Sequence, residues 1–165
     1  MNRRTSCLLL AAFLLQFTSF VSAQTHVPPA ASSADEIAYA QAAASDPLTE
    51  TAKMQRKAAM KYAEDDHTSH VSLCLQIFQQ MTGNHSANAS EITTQYLISA
   101  AAFLYQHPEV ASDSTAQNVA GMDAALNVYE KFLADDSKTR FKFLDNLDKQ
   151  RNDGKLKDAI QRICK

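Results

Sequence analysis

The stretch YLISAAAFLY, Tyr96 to Tyr105, decides the fold. It carries no charge, and Ser99 is its single interruption, so the residues are apolar almost all round a helical cylinder. A helix of that kind is buried on several sides, which predicts a central helix surrounded by others. Strands are disfavoured by the rest of the text. The chain has only three glycines and four prolines, and alternating β-branched runs are absent. The fold class read from these features is all-α: a single small bundle of about five to six helices occupying residues 35–165, a size that suits one domain.

Working outward, Pro108 closes the central helix at His107, and Ser90 is the expected N-cap. GNHSANAS before it reads as a loop, with Gly83 ending a helix expected from about Ser69 to Met81. In that helix Val71, Cys74, Leu75, Phe78 and Met81 fall at the spacing of one buried stripe. Further upstream, Leu48 to about Glu64 and Asp35 to Ser45 are helical, separated by Asp46-Pro47. Downstream, Ser114 with Gln117 has the form of a capping box. It opens a helix whose face carries Val119, Met122, Leu126, Tyr129 and Leu133. Gly121 within it weakens the helix by about 1 kcal/mol relative to alanine and is expected to permit a close helix crossing. Lys138 to about Gln150 buries Phe141, Leu144 and Leu147. Asn152-Asp153-Gly154 turns the chain, and Lys155 to Ile163 presents Leu156, Ile160 and Ile163.

GMDAALNVYEKFLADD, Gly121 to Asp136, resembles the second helix of a tetratricopeptide repeat through Ala125, Leu126, Tyr129 and Leu133. Phe132 stands where that pattern has a small residue, Ser137 where it has proline, and Glu109 to Ala116 lacks the first helix's aromatic and glycine pattern. No second copy follows, whereas stacked repeats need about three units. What the resemblance implies is helical-hairpin packing.

The N-terminus has the three parts of a secretory signal: Arg3 and Arg4, an apolar Leu8 to Phe20, and small residues ending at Ala23. Residues 1–23 are read as a cleaved signal peptide, and 24–34, with two prolines and two serines, as a disordered lead-in. The apolar run is too short to span a bilayer, so no membrane span is expected after cleavage. Cys7 lacks the apolar context of a lipidation site. Its loss with the signal leaves Cys74 and Cys164, an even pair expected to form a disulfide in an oxidising compartment.

Charge is uneven along a chain whose formal net value is −2. Residues 24–130 hold four Lys or Arg against twelve Asp or Glu, and residues 131–165 hold ten against six. The signs in the basic tail are interspersed, as on a solvated helix face, so nucleic acid is not an expected partner.

For chemistry, EDDHTSHVSLC, Glu64 to Cys74, stands out. On a continuous helix His67, His70 and Cys74 would converge, with Glu64 or Asp66 completing four zinc ligands. Against this, Asp65 to Ser69 are poor helix formers, and a sulfur bonded to Cys164 is no thiolate ligand. A capped turn beside a disulfide is the preferred reading, with His67 and His70 the metal candidates of the alternative. Neither a G-x-S-x-G elbow nor a glycine-rich phosphate loop occurs. Asn84-His85-Ser86 and Asn88-Ala89-Ser90 match the glycosylation acceptor pattern.

The expected function is therefore that of an exported, non-catalytic protein-interaction module, without cofactor, whose partner is another exported or envelope protein. The alternatives are a metal-dependent enzyme or metal-binding protein using His67 and His70, and a carrier of a small apolar ligand held between helices near Tyr96 to Tyr105.

Overall fold

The computed structural model describes residues 26–165. The expected signal peptide, and Gln24 and Thr25 of the lead-in, lie outside the described residues. All regular structure among those described is helical: α1 (Ser33–Ser45), α2 (Glu50–Asp65), α3 (Leu75–Thr82), α4 (Ala89–Gln106), α5 (Ser114–Asp135), α6 (Lys142–Asn152) and α7 (Leu156–Ile163), with 3-10 turns at Pro108–Val110 and Ser137–Thr139. The seven α-helices correspond one for one to the seven segments read as helical along the sequence, slightly more than the count of about five to six given for the bundle.

Helix ends follow local chemistry. Ser32 caps α1, its Oγ accepting the Asp35 N–H at 3.2 Å, which starts the helix two residues before the expected Asp35. Thr49 caps α2 by accepting the Ala52 N–H at 3.1 Å. Two expected caps move. Asp113, not Ser114, caps α5, its Oδ1 accepting the Ala116 N–H at 2.9 Å; a carboxylate is the stronger acceptor there. Asn88, not Ser90, begins α4, in left-handed backbone geometry (φ 60°) that asparagine tolerates better than most residues. Its side-chain amide donates to buried Thr139 Oγ1 at 3.0 Å, 51 residues away, a tie no local pattern announces. The helix expected from Lys138 is delayed to Lys142 by the 3-10 turn that carries Thr139.

Helix α4 serves two cores. Ile92 and Tyr96 join Cys74, Ile77, Met81, Met122, Leu126, Tyr129, Leu144 and Ile160 in the larger one, formed with α3 and α5–α7. Ile98 and Ala102 face Ala40 and Ala59 of the α1–α2 hairpin in the smaller one. This double burial accounts for the all-round apolarity of residues 96–105. Helices α4 and α5 are the most extensively packed pair, in line with hairpin packing. They approach so closely at Gly121 that a Cβ there would lie 2.6 Å from the Tyr96 carbonyl oxygen and 3.1 Å from Ala100 Cβ.

The basic C-terminal part is partly neutralised within the fold. Arg151 of α6 reaches Glu130 of α5 at 2.7 Å and Asp148 at 2.5 Å, and Arg140 pairs with Asp145 at 3.2 Å.

Candidate functional site

The segment between α2 and α3 is not helical. Backbone 66–74 is irregular and extended, and α3 begins only at Leu75 with Cys74 at its N-cap. The stripe Val71, Cys74, Phe78 is therefore not a continuous helix face; Ile77, outside that stripe, is the fully buried residue of α3 together with Met81. The correction has a clear cause. Asp66 stops α2, its Oδ1 accepting the Thr68 N–H at 2.8 Å and the Thr68 hydroxyl at 2.6 Å. These bonds hold the Asp66 carboxyl down at a pKa of about 2. Tyr105 of α4 donates its hydroxyl to Asp66 Oδ2 at 3.0 Å.

The other end of the segment is held by two side chains of α5. Gln117 Oε1 accepts the Ser72 N–H at 2.9 Å, and its amide donates to the Ala111 carbonyl at 2.8 Å. Asn118 Oδ1 accepts the Cys74 N–H at 2.8 Å and also the Tyr96 hydroxyl, while its amide donates to the carbonyls of Ser72 (2.8 Å) and Ser114 (2.6 Å). Gln117 and Asn118 thus act as a side-chain ladder for backbone that has no helix or sheet partner. With its Oε1 turned to the Ser72 N–H and Asp113 as the N-cap, Gln117 does not complete a capping box with Ser114.

This ladder presents Cys74 to Cys164, and the two form a disulfide with their Cα atoms 5.5 Å apart. The expected pairing is present, and α7 is fastened to the middle of the chain. His67 and His70, by contrast, lie on exposed or half-exposed irregular backbone upstream. No group of three or more His, Cys, Asp or Glu side chains suited to a metal ion occurs among the described residues. The structure does not bring His67, His70 and Cys74 together as the helical reading required.

Burying Cys74 in extended backbone leaves its neighbours outside. Leu73 is 40% exposed and Leu75 60%, two of the three large apolar side chains that remain in solvent among the described residues. Across the disulfide from Cys74 a groove of about 620 Å³ runs between the start of α5 and the end of α7, with Asn118, Asp158, Arg162, Cys164 and Lys165 in its walls. Sequence reasoning missed this site because it took Leu75 for a core residue. The available signal was Leu73, which has no place in a stripe built on Val71, Cys74 and Phe78.

The other candidates are placed as follows. Asn84 donates its side-chain amide to Ser86 Oγ at 2.5 Å in a local turn, whereas that of Asn88 is engaged with Thr139. Tyr96 and residues 98–105 do not line any of the five surface grooves described; their helix interfaces are filled by alanines and by the close approach at Gly121. No helix among the described residues is long and apolar enough to cross a membrane.

No protein-family model matches the chain, and neither a curated protein nor a solved structure shows significant similarity to it.

Proposed function

We propose that this chain is an exported, non-catalytic protein-interaction module that docks a partner on the surface around Leu73 and Leu75. One observation carries the reading: two exposed leucines stand on backbone fixed at one end by the Asp66–Tyr105 bond and at the other by Gln117, Asn118 and the disulfide. An apolar pair on backbone that has already lost its freedom binds with little further entropic cost. The groove reached through Cys164 adds Arg162 and Lys165 together with Asp158, a polar rim of the kind found around apolar anchor residues at interfaces. The partner is another exported or envelope protein that offers an apolar side chain flanked by carboxylates. A disulfide at the heart of the surface accords with life outside the reducing cytosol.

The test is capture from the envelope and secreted fractions of the source cell, with wild-type protein and the Leu73→Asp/Leu75→Asp variant as parallel baits. The expected result is a protein retained by the first and lost by the second. A partner held equally by both baits would remove this surface from consideration.

A further inference from the structure

A second surface lies elsewhere, on the cleft between α2 and the start of α4. The part of the chain from residue 24 to residue 130 is strongly acidic and holds only four cationic side chains: Lys53, Arg56, Lys57 and Lys61. All four line this one cleft of about 320 Å³, together with Met60 and Glu64 of α2 and with Ser90, Glu91 and Thr94 of α4 opposite; four cations thus face two acids, Glu64 and Glu91. The sequence itself sets every cation of the acidic part on α2, and folding lays the start of α4 alongside them.

Arg56 is the unusual member. It is only 3% exposed, and none of the ion pairs among the described residues includes it. Its guanidinium donates to the carbonyls of Ala43 (3.4 Å) and Pro47 (3.1 Å) and lies 5.9 Å from the centre of the Phe132 ring. These contacts use two of its five N–H donors and supply no formal negative charge. Burial lowers its pKa, and the charge of Glu91 opposes that fall. Buried charges in proteins are ordinarily paired; here the nearest tethered acid acts only at a distance. The first turn of α4 adds its free N–H groups, since Asn88 makes no side-chain cap bond to them.

We infer that the cleft binds an extended acidic peptide segment, with carboxylates at alternate positions meeting Lys53, Lys57 and Lys61 above the buried charge of Arg56. The spacing favours this ligand. Residues four apart on a helix are separated by about 6 Å along its axis. Same-face residues two apart in an extended peptide are separated by about 6.6 Å. Three lysines on successive turns therefore keep step with three carboxylates, whereas a single compact anion meets only one or two of them. Lys61 is drawn towards Asp65 at 2.7 Å, an exposed pair that an incoming carboxylate displaces at little cost. Ser90 and Thr94 provide hydroxyl donors on the opposite wall. This cleft is distinct from the Leu73/Leu75 surface, and its test is independent of that one.

The experiment is fluorescence anisotropy with a labelled, C-terminally amidated peptide of alternating Asp and Ser at low ionic strength. Three proteins are compared: wild type, Lys53→Glu/Lys57→Glu, and Lys138→Glu/Lys142→Glu in the basic tail. Circular dichroism and the thermal midpoint establish that each is folded. The expected result is saturable binding to wild type, weakened about tenfold or more by reversal in the cleft and less than about threefold by reversal in the tail. Equal losses from the two reversals would reduce the effect to unspecific charge attraction and overturn the inference. So would failure of the peptide to bind, including the case in which heparin or inorganic phosphate binds in its place.

Discussion

Glu36 offers the sharpest test of the packing described above. It stands in the first turn of α1, where an acid suits the helix dipole, yet it is 0% exposed, and neither carboxyl oxygen has a hydrogen-bond partner. Burial raises its pKa from an ordinary 4.5 to about 8. The folded protein therefore holds a proton on Glu36 that the unfolded chain gives up between these values. Stability is greatest below pH 4.5, falls as pH rises through the window from 4.5 to 8, and levels off above it. At 1.36 kcal/mol per pKa unit, the loss is about 3 kcal/mol at pH 7 and between 4 and 5 kcal/mol at pH 9. The free energy of undocking α1 sets a ceiling on both figures, because a partly opened state hydrates the carboxylate. Glu36→Met retains the length and removes the charge. Urea unfolding followed by circular dichroism at pH 4, 7 and 9 should show the variant gaining on wild type by about 3 kcal/mol between the first two conditions. Curves that run parallel across the range would mean that the Glu36 carboxylate is hydrated in the native state, and that α1 does not pack on α4 as described.

Three further outcomes follow from particular contacts. Gly121→Ala gains about 1 kcal/mol of helix propensity, but its methyl group would sit 2.6 Å from a backbone oxygen. A net loss of about 1 to 3 kcal/mol in chemical denaturation is expected, and a stabilised variant would contradict the close crossing. Replacing Cys74 and Cys164 together by serine opens a loop with a sequence separation of 90. The chain-entropy limit is about 4.6 kcal/mol, so a loss below about 1 kcal/mol in the same assay would show that the link adds little to the fold. Asn118→Leu deprives the Cys74 N–H and the Tyr96 hydroxyl of their acceptor. Hydrogen exchange at the Cys74 amide should accelerate at least tenfold, an opening cost of about 1.4 kcal/mol; unchanged protection would remove the ladder from the account.

Much of the architecture was legible along the chain because its causes are local. Asp46-Pro47 and Pro108 end helices wherever they fall, and Gly121 among larger residues signals a close crossing. Two cysteines beyond the expected signal peptide leave a single pairing to consider. What escaped reading depends on partners far away in sequence. Val71, Cys74 and Phe78 mimic a helical stripe, but the hydrogen bonds that hold residues 72–74 extended come from side chains about 45 positions later. Asn88 outcompetes Ser90 only because Thr139 waits beside it. Glu36 reads as an ordinary first-turn acid until the packing of α1 on its neighbours buries it. The four cations of α2 can be counted in the sequence, but their cleft exists only once α4 begins alongside them.

The covalent bond between Cys74 and Cys164 also decides how the molecule is taken apart. Protease cleavage in an exposed turn, such as that around Ala111 and Ser112, severs the backbone without separating the pieces. Both fragments stay on one scaffold, migrate as one species without reductant, and divide into two bands only when a thiol is added. In a nicked chain of this kind the two parts are released from one another by the reduction of one bond rather than by the first cut.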